Sequence, residues 1–229
     1  APQSKLGCYD RWMEDIYFPE GKEISLHHLY RAMDFLEKKK EKIEEALYWR
    51  LADLLNMDVD LIFYDTTSVY FETDEEDEAL RKRGYSKNGR SDAPQMVVGM
   101  AVTRDGFPVR SWVFPGNTTD VTTIEQIKTD LRGWRLNRCI FVADAGMVSE
   151  DNLAMLRRGG GHYIVAMPWR KGTEVVEKVL SHPGRYQEVK ENLRVKEVRI
   201  QDRRYVVCYN PLEAERQKKH RKELLVELE

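Results

Sequence analysis

Two aspartates that follow apolar runs of strand length are the residues of this sequence best suited to chemistry. Asp65 comes after the run LIFY (61–64), and Asp144 comes after CIFVA (139–143). In sheets flanked by helices, ligand-binding groups gather where strands end, and neighbouring strands bring distant residues together. Two adjacent carboxylates repel each other, and a divalent cation such as Mg²⁺ relieves the repulsion by taking both as oxygen ligands. The pair therefore indicates a metal site.

Either aspartate also has a simpler interpretation. A single carboxylate at a strand end more often caps a turn or pairs with an arginine. Because both acids follow runs that predict buried strands, the metal site and the structural roles carry similar weight on the residues alone.

The elements around Asp65 follow from periodicity. Residues 61–71, LIFYDTTSVYF, are rich in β-branched and aromatic side chains and predict a strand. Burial of residues 62–64 would hold Asp65 rigidly. Before this strand, residues 25–54 keep apolar side chains at helical spacing behind Ser25, an N-cap residue. They predict one long helix, or two with a break near the lysines at 38–40.

A mixed set of elements follows. Two strands after Pro94 meet at the hairpin dipeptide Asp105-Gly106. A helix over 119–131 leads to the run that ends at Asp144, and its unbroken apolar character predicts a strand buried on both faces. A further helix and a second apolar run, residues 162–168, predict another buried strand. This order indicates an α/β layout rather than a plain βαβ repeat.

Composition restricts the class of protein. The chain has 229 residues, 41% hydrophobic and 33% charged, with a formal net charge of −2. This composition predicts a globular protein, long enough for one large domain and without a membrane-spanning segment. Three cysteines without paired spacing predict neither a disulfide framework nor a zinc site. The start of the sequence has neither a signal peptide nor a Met, which predicts an intracellular, cytoplasmic protein that begins at an internal cut.

Three longer segments occur in the order known from one enzyme family. They are FYDTTSVYFE (63–72), the run from Gly84 to Asp120, and VADAGMVSEDNL (142–153). They resemble the corresponding segments of DDE transposases of bacterial insertion sequences, through roughly residues 58–170 and, less sharply, on either side. Segments of this length in this order are far more specific than a short motif.

The resemblance implies a ribonuclease H-like fold. This is a mixed five-stranded sheet flanked by helices, with an added antiparallel β insertion and an N-terminal helical segment. It divides the chain into a helical segment at 1–57, the ribonuclease H-like core at 58–171, and part of the insertion, a β-hairpin and a charged helix, at 172–229. Asp65 would be the acid on the first strand and Asp144 the acid at the end of the fourth.

The same resemblance implies DNA transposition. In that family two acids and a Glu bind two Mg²⁺ or Mn²⁺ ions, which activate a water or a DNA 3′-hydroxyl and stabilise the leaving oxygen. Asp65 and Asp144 would be the catalytic metal ligands, and Thr66 and Asp120 are candidates to support them, although a helix cap is the simpler role for Asp120. The expected partners are transposon ends, target DNA and further copies of the chain, with no membrane. The expected location is the bacterial cytoplasm, at the nucleoid when bound to DNA.

Basic residues on the loop after the first strand are candidates for DNA contact. In one interpretation they hold phosphates while Tyr85 packs on a base or a sugar. In the other they offset the acidic run at 74–78 just before them, and the two carry equal weight. With two residues at the end of the fifth strand, the DNA-binding candidates are Arg81, Arg83, Tyr85, Lys87, Arg90, Arg170 and Lys171.

The sequence departs from the family pattern at the third acid. The family's catalytic Glu lies in a motif of Tyr, Arg, Glu and Lys at spacings of three, four and seven, and no tyrosine here starts such a series. This predicts a fragment, truncated at both ends, that lacks the catalytic Glu. Two alternatives stay open: a catalytically inactive DNA-binding or regulatory remnant, and a stand-alone metal-dependent nuclease with an acid such as Asp120 as third ligand.

Overall fold

A computed structural model of the protein describes residues 3–55, 59–87, 89–134, 136, 139–167 and 175–227. The chain divides into two compact units, Ala1–Val165 and Ala166–Glu229. Each unit has its own sheet and its own apolar core. The finer division into a helical segment, a core and an insertion stays a prediction.

The first unit begins with short helical turns and one long helix. Ser25 is the N-cap of the long helix and forms a capping box with His28. The backbone N–H of Ser25 donates to Nδ1 of His28, and the Ser25 side chain accepts from the backbone N–H of His28. The helix continues unbroken through Lys38–Lys40, so the prediction of a single long helix is confirmed. The bounds are α1 Lys5–Gly7, π-helical residues Cys8–Trp12, α2 Met13–Asp15, a 3₁₀ helix Pro19–Glu23, and α3 Leu26–Leu54.

A mixed five-stranded sheet forms the centre of this unit, with the strand order β3-β2-β1-β4-β5. β1 pairs antiparallel with β2 and parallel with β4, and β5 is parallel to β4. The strands are β1 Leu61–Tyr70, β2 Gln95–Thr103, β3 Pro108–Pro115, β4 Ile140–Ala143 and β5 His162–Val165.

Two helices connect the later strands. α4 (Asp120–Gly133) leads from β3 to β4, and α5 (Glu150–Arg157) leads from β4 to β5. The predicted hairpin between β2 and β3 is present, and Gly106 in its turn has a φ of 82°, a conformation that favours glycine. The ribonuclease H-like arrangement that the resemblance implies, a mixed five-stranded sheet flanked by helices, is confirmed.

Alternation along β1 decides which of its side chains reach the core. Ile62 and Tyr64 are buried, whereas Asp65 lies on the exposed face. Phe63 is 38% exposed, so the prediction that residues 62–64 are buried together is wrong at Phe63. The reason is that successive side chains of a strand point to opposite faces. Asp65 is therefore fixed by its buried neighbours at 64 and 66 rather than by an unbroken apolar run.

The two parallel strands after β1 are less buried than their apolar sequences predict. On β4, Phe141 and Ala143 are buried, but Ile140 and Val142 are half-buried. On β5 the side chains alternate between exposed and half-buried. The prediction of a second buried strand is wrong for β5 because it forms the edge of the sheet, where one side has no neighbouring strand.

The second unit contains a three-stranded antiparallel sheet with the order β6-β7-β8. The predicted hairpin is part of this sheet, because a further strand pairs with β7 on its free side. Val179, Val198 and Val207 form its core. The bounds are a π-helical turn Val175–Leu180, β6 Gln187–Lys190, β7 Leu193–Ile200, β8 Arg203–Tyr209 and α6 Pro211–Glu227.

None of the helices in the described ranges combines the length and the apolar character needed to cross a membrane.

Candidate active site

The strand register brings Asp65 and Asp144 to neighbouring positions. In the parallel pair of β1 and β4, Tyr64 lies opposite Ala143, and each aspartate is the next residue along its chain. Neighbouring strands lie about 4.8 Å apart, so the two carboxylates are within reach of one ion. Both aspartates are exposed, and the side chain of Asp65 keeps 76% of its surface accessible.

The turn after β4 holds Asp144 in place. Its Oδ1 accepts a 2.6 Å hydrogen bond from the backbone N–H of Ala145, which begins a 3₁₀ turn. Asn152 of α5 is buried, and its Nδ2 donates to the carbonyl oxygen of Met147 at 2.8 Å and to that of Val121 at 2.7 Å. One amide thus joins the turn after Asp144 to the first residues of α4.

Lys87 extends from the loop after β1 to the acids of the sheet. Its Nζ donates to the backbone oxygen and to Oγ1 of Thr66, at 2.7 and 2.8 Å. The same Nζ lies 3.2 Å from Oδ2 of Asp120 and 3.7 Å from Oδ1 of Asp65. The backbone N–H of Lys87 donates to Oγ of Ser68 at 3.2 Å. Lys87 is therefore bound to β1 through both its backbone and its side chain.

Asp120 shares the ammonium of Lys87 with Asp65, although it comes from a different element. It is the first residue of α4, and its Oδ1 accepts a 2.5 Å hydrogen bond from the hydroxyl of Thr66. A Cβ on Gly146 would lie 3.4 Å from Oδ2 of Asp120, so the carboxylate also approaches the turn after Asp144. We call Asp65, Lys87, Asp120 and Asp144 the acid cluster.

The predicted capping role of Asp120 is wrong. The N-cap residue of α4 is Thr119, and the carboxylate of Asp120 binds Thr66 and Lys87 instead. The competing expectation, that Thr66 and Asp120 support the first acid, stays a prediction. The side chain of Thr66 is buried, which places this hydrogen bond at the edge of the core.

A buried tyrosine lies beneath the acid cluster. The hydroxyl of Tyr64 donates to Oγ1 of Thr123 at 3.1 Å, and Thr123 donates to the backbone oxygen of Asp120 at 2.8 Å. Burial raises the pKa of the Tyr64 hydroxyl, so the hydroxyl stays protonated and continues to donate. A Cβ at Gly99 would lie 2.6 Å from the Tyr64 hydroxyl, which shows why the neighbouring strand has a glycine there. This chain of bonds fixes the first turn of α4 against β1.

The donor set suits a magnesium or manganese ion but is incomplete. Carboxylate oxygens are the ligands that these hard cations prefer, and Asp65 and Asp144 present two carboxylates from adjacent strands. Across the described residues, no group of three or more His, Cys, Asp or Glu side chains is arranged to hold a metal ion. The residues present therefore fit two of the acids of a metal centre, without a third ligand.

The loop after β1 pairs its arginines with its own acids. We call its described residues, 72–87 and 89–94, the arginine loop. The ion pairs are Arg81–Asp77 at 2.9 Å, Arg83–Glu76 at 3.2 Å, Arg90–Asp92 at 3.1 Å and Arg90–Glu72 at 3.6 Å. The hydrogen bonds from Arg81 hold the pKa of Asp77 well below its usual range. These contacts match the interpretation that the arginines offset the acidic run, and contact with DNA stays a prediction for them.

Gln95, which sequence reasoning missed, anchors the arginine loop to the core. It is fully buried, and its Nε2 donates at 2.9 Å to the backbone oxygens of Tyr85 and Gly116. A Cβ at Gly116 would lie 2.1 Å from the carbonyl oxygens of Gln95 and Lys82, so only glycine fits. The Tyr85 side chain is 87% exposed, as a ring that stacks on a base would be. Gln95 and Asn152 give no periodic signal; only their position within the segments of the resemblance marks them.

The remaining DNA-binding candidates, Arg170 and Lys171, lie outside the described residues.

Comparison with known proteins gives one family match. The family model described as "Transposase DDE domain" matches residues 59–225. No curated protein matches the chain.

Several solved structures of transposase complexes are similar to the chain at low identity. A piggyBac transposase synaptic complex with hairpin DNA is 12% identical, with a TM-score of 0.42 over 90% of this chain and 47% of that one. A Mos1 transposase paired-end complex with the left transposon end is 12% identical, with a TM-score of 0.30 over 72% and 59%. A Mos1 mariner paired-end complex with Mn is 11% identical, with a TM-score of 0.31 over 71% and 59%. The chain thus spans about half the length of these proteins.

Proposed function

The chain belongs to the family of transposase DDE domains, and on that premise we propose that it acts in DNA transposition, by metal-dependent cleavage and strand transfer of transposon ends. One observation supports this proposal above the others. Asp65 and Asp144 are exposed, and each directly follows one residue of the pair Tyr64 and Ala143 that joins the parallel strands β1 and β4. Binding of a divalent cation between two carboxylates in that arrangement is favourable, because the cation relieves their mutual repulsion.

Asp65 and Asp144 would hold the metal in this proposal. When bound, Mg²⁺ or Mn²⁺ supplies Lewis-acid chemistry at a phosphodiester, for the attacking water or 3′-hydroxyl and for the leaving oxygen. The chain's own residues orient the ligands. The backbone N–H of Thr66 donates to Oδ1 of Asp65 at 2.7 Å, and that of Ala145 does the same for Asp144. In each carboxylate, Oδ1 is therefore held by a backbone hydrogen bond, and the second oxygen can bind an ion.

DNA would lie along the arginine loop. Arg81, Arg83 and Arg90 would exchange their acidic partners for phosphates, since exposed ion pairs of this kind contribute little free energy. Tyr85 would stack on a base or a sugar, and a homo-oligomer would assemble on the DNA. Binding should weaken steeply with salt, because each phosphate contact releases counterions.

A second candidate function is a catalytically inactive DNA-binding or regulatory form. One observation favours it: among the described residues no third acid joins Asp65 and Asp144. In the catalytic form, a Glu from another chain or another segment would complete the site.

Calorimetry with Mn²⁺ and cleavage of a labelled duplex separate these proposals. The unaltered chain should bind Mn²⁺, and the double variant Asp65→Asn with Asp144→Asn should not. Asp105→Asn is the matched control, since Asn-Gly suits the hairpin turn as well as Asp-Gly does. Heat that persists in the double variant would place the metal elsewhere. Cutting that requires both aspartates would support the catalytic form, and DNA binding without cutting would support the inactive one.

A further inference from the structure

Lys87 places a positive charge inside the candidate metal site. The ammonium of Lys87 donates hydrogen bonds to Thr66 O and Thr66 Oγ1 at 2.7 and 2.8 Å. It also forms ion pairs with Asp120 Oδ2 at 3.2 Å and with Asp65 Oδ1 at 3.7 Å. The charge is therefore shared between two carboxylates.

This lysine is held more firmly than an ordinary surface lysine. Its backbone N–H is bound to Ser68 and its ammonium to Thr66, and both of those residues are buried on β1. The side chain of Lys87 is 37% exposed. The strand that carries Asp65 thus fixes Lys87 at both ends, so the distance between the ammonium and the carboxylate is set by the fold.

A divalent ion at Asp65 would meet this charge at close range. Cations that approach the same carboxylate compete for it, and the two positive charges repel each other. We propose that the ammonium of Lys87 competes with the metal ion for the carboxylate of Asp65 and so lowers the affinity of the site for that ion. This inference rests on the proposed function, because it requires that Asp65 and Asp144 bind a metal.

A merely structural role for Lys87 predicts the opposite sign. If the lysine only attached the arginine loop to β1, its loss would loosen Asp65 and weaken metal binding. If its charge competes, its loss strengthens metal binding. The direction of the change in Mn²⁺ affinity therefore distinguishes the two roles without any measurement of catalysis.

Calorimetric titration of the full chain with Mn²⁺ at low ionic strength gives that direction. Lys87→Gln should lower the Kd about three- to tenfold, as expected for the loss of one exposed ionic interaction. Lys87→Arg, which keeps the charge, should stay within about twofold of the unaltered chain. Lys82→Gln, on the same loop, is the matched control and should leave the Kd unchanged. Asp120→Asn should raise the Kd, because it leaves Asp65 as the only carboxylate that binds Lys87.

Each outcome decides the inference. An unchanged or higher Kd in Lys87→Gln, with Mn²⁺ binding intact in the unaltered chain, overturns the competing role alone. Failure of the unaltered chain to bind Mn²⁺ overturns the proposed function and this inference together. Circular dichroism reports whether each variant folds, and Lys87→Met replaces Lys87→Gln if the latter does not. If neither folds, the lysine is structural and the inference is wrong.

Discussion

The acid cluster and the arginine loop both bring carboxylates and cations together, but their partners lie at different distances along the chain. In the acid cluster, Lys87 binds Thr66 and Asp120, which belong to a strand and to a helix. In the arginine loop, Arg81 binds Asp77, which lies four residues away in the same loop. The first arrangement depends on the tertiary fold and on buried anchors. The second forms within one loop and contributes little to stability.

This difference suggests a division of roles. Charges held by buried strands keep a fixed geometry, which a metal site requires. Charges in exposed local pairs can change partners at little cost, which contact with a phosphate backbone requires. The acid cluster therefore suits catalysis and the arginine loop suits DNA contact, although the two adjoin at Lys87.

The largest expected effect is on the buried anchor of the acid cluster. Asn152→Ala would remove the side-chain amide that donates to the backbone oxygens of Val121 and Met147. We expect a loss of about 2–4 kcal/mol in the free energy of unfolding, measured by urea denaturation. Gln126→Ala, at an exposed amide on α4, is the matched control and should change little. Equal effects of the two substitutions would remove the distinction between buried and exposed anchors.

A smaller effect is expected at the tyrosine beneath the cluster. Tyr64→Phe removes the hydrogen bond to Thr123 and should cost about 1 kcal/mol at neutral pH. Burial raises the pKa of Tyr64 above its usual value and that of Tyr48 to about 12. Below about pH 10 both hydroxyls are protonated in the folded and the unfolded chain, and their contribution is complete.

Above that pH, the unfolded chain loses its tyrosine protons first, so the free energy of unfolding should fall as the pH rises. The fall should be shallower in Tyr64→Phe. Thermal melts between pH 8 and pH 11 measure it, and an identical slope in both proteins would show that Tyr64 ionises equally in the two states.

The smallest effect is expected within the arginine loop. Arg81→Gln breaks the ion pair with Asp77 and should change the free energy of unfolding by less than about 1 kcal/mol. Asp77→Ala should lower the free energy of unfolding more than Arg81→Gln does, because Oδ1 of Asp77 also accepts from the backbone N–H groups of residues 79–81. A larger loss in Arg81→Gln than in Asp77→Ala would mean that the ion pairs, rather than the backbone bonds, hold the loop.

The elements that could be predicted from the sequence are those with a local signal. The β1 strand follows from its β-branched and aromatic residues, the hairpin from Asp105-Gly106, and the start of α3 from Ser25. The position of Asp65 and Asp144 at comparable points on strands also came from local patterns together with the resemblance. The error at Phe63 arose because side chains alternate along a strand, so an apolar run is not buried throughout. The error along β5 arose because neighbours in space decide the burial of an edge strand.

The contacts that complete the site have no local signal. Lys87 reaches Asp120, and Asn152 reaches Val121, across stretches of chain that fold into different elements. Buried amides such as Gln95 look like any polar residue until the backbone oxygens they satisfy are known. Polar networks of this kind follow from the fold and could not be predicted before it.

A crystal structure of the chain soaked with Mn²⁺ would show whether Asp65 and Asp144 share a metal ion. We expect anomalous density between the carboxylates of Asp65 and Asp144, with oxygen ligands about 2 Å from the ion. Carboxylates more than about 8 Å apart, or manganese bound only elsewhere, would contradict this expectation, because such acids cannot share an ion with bonds of that length.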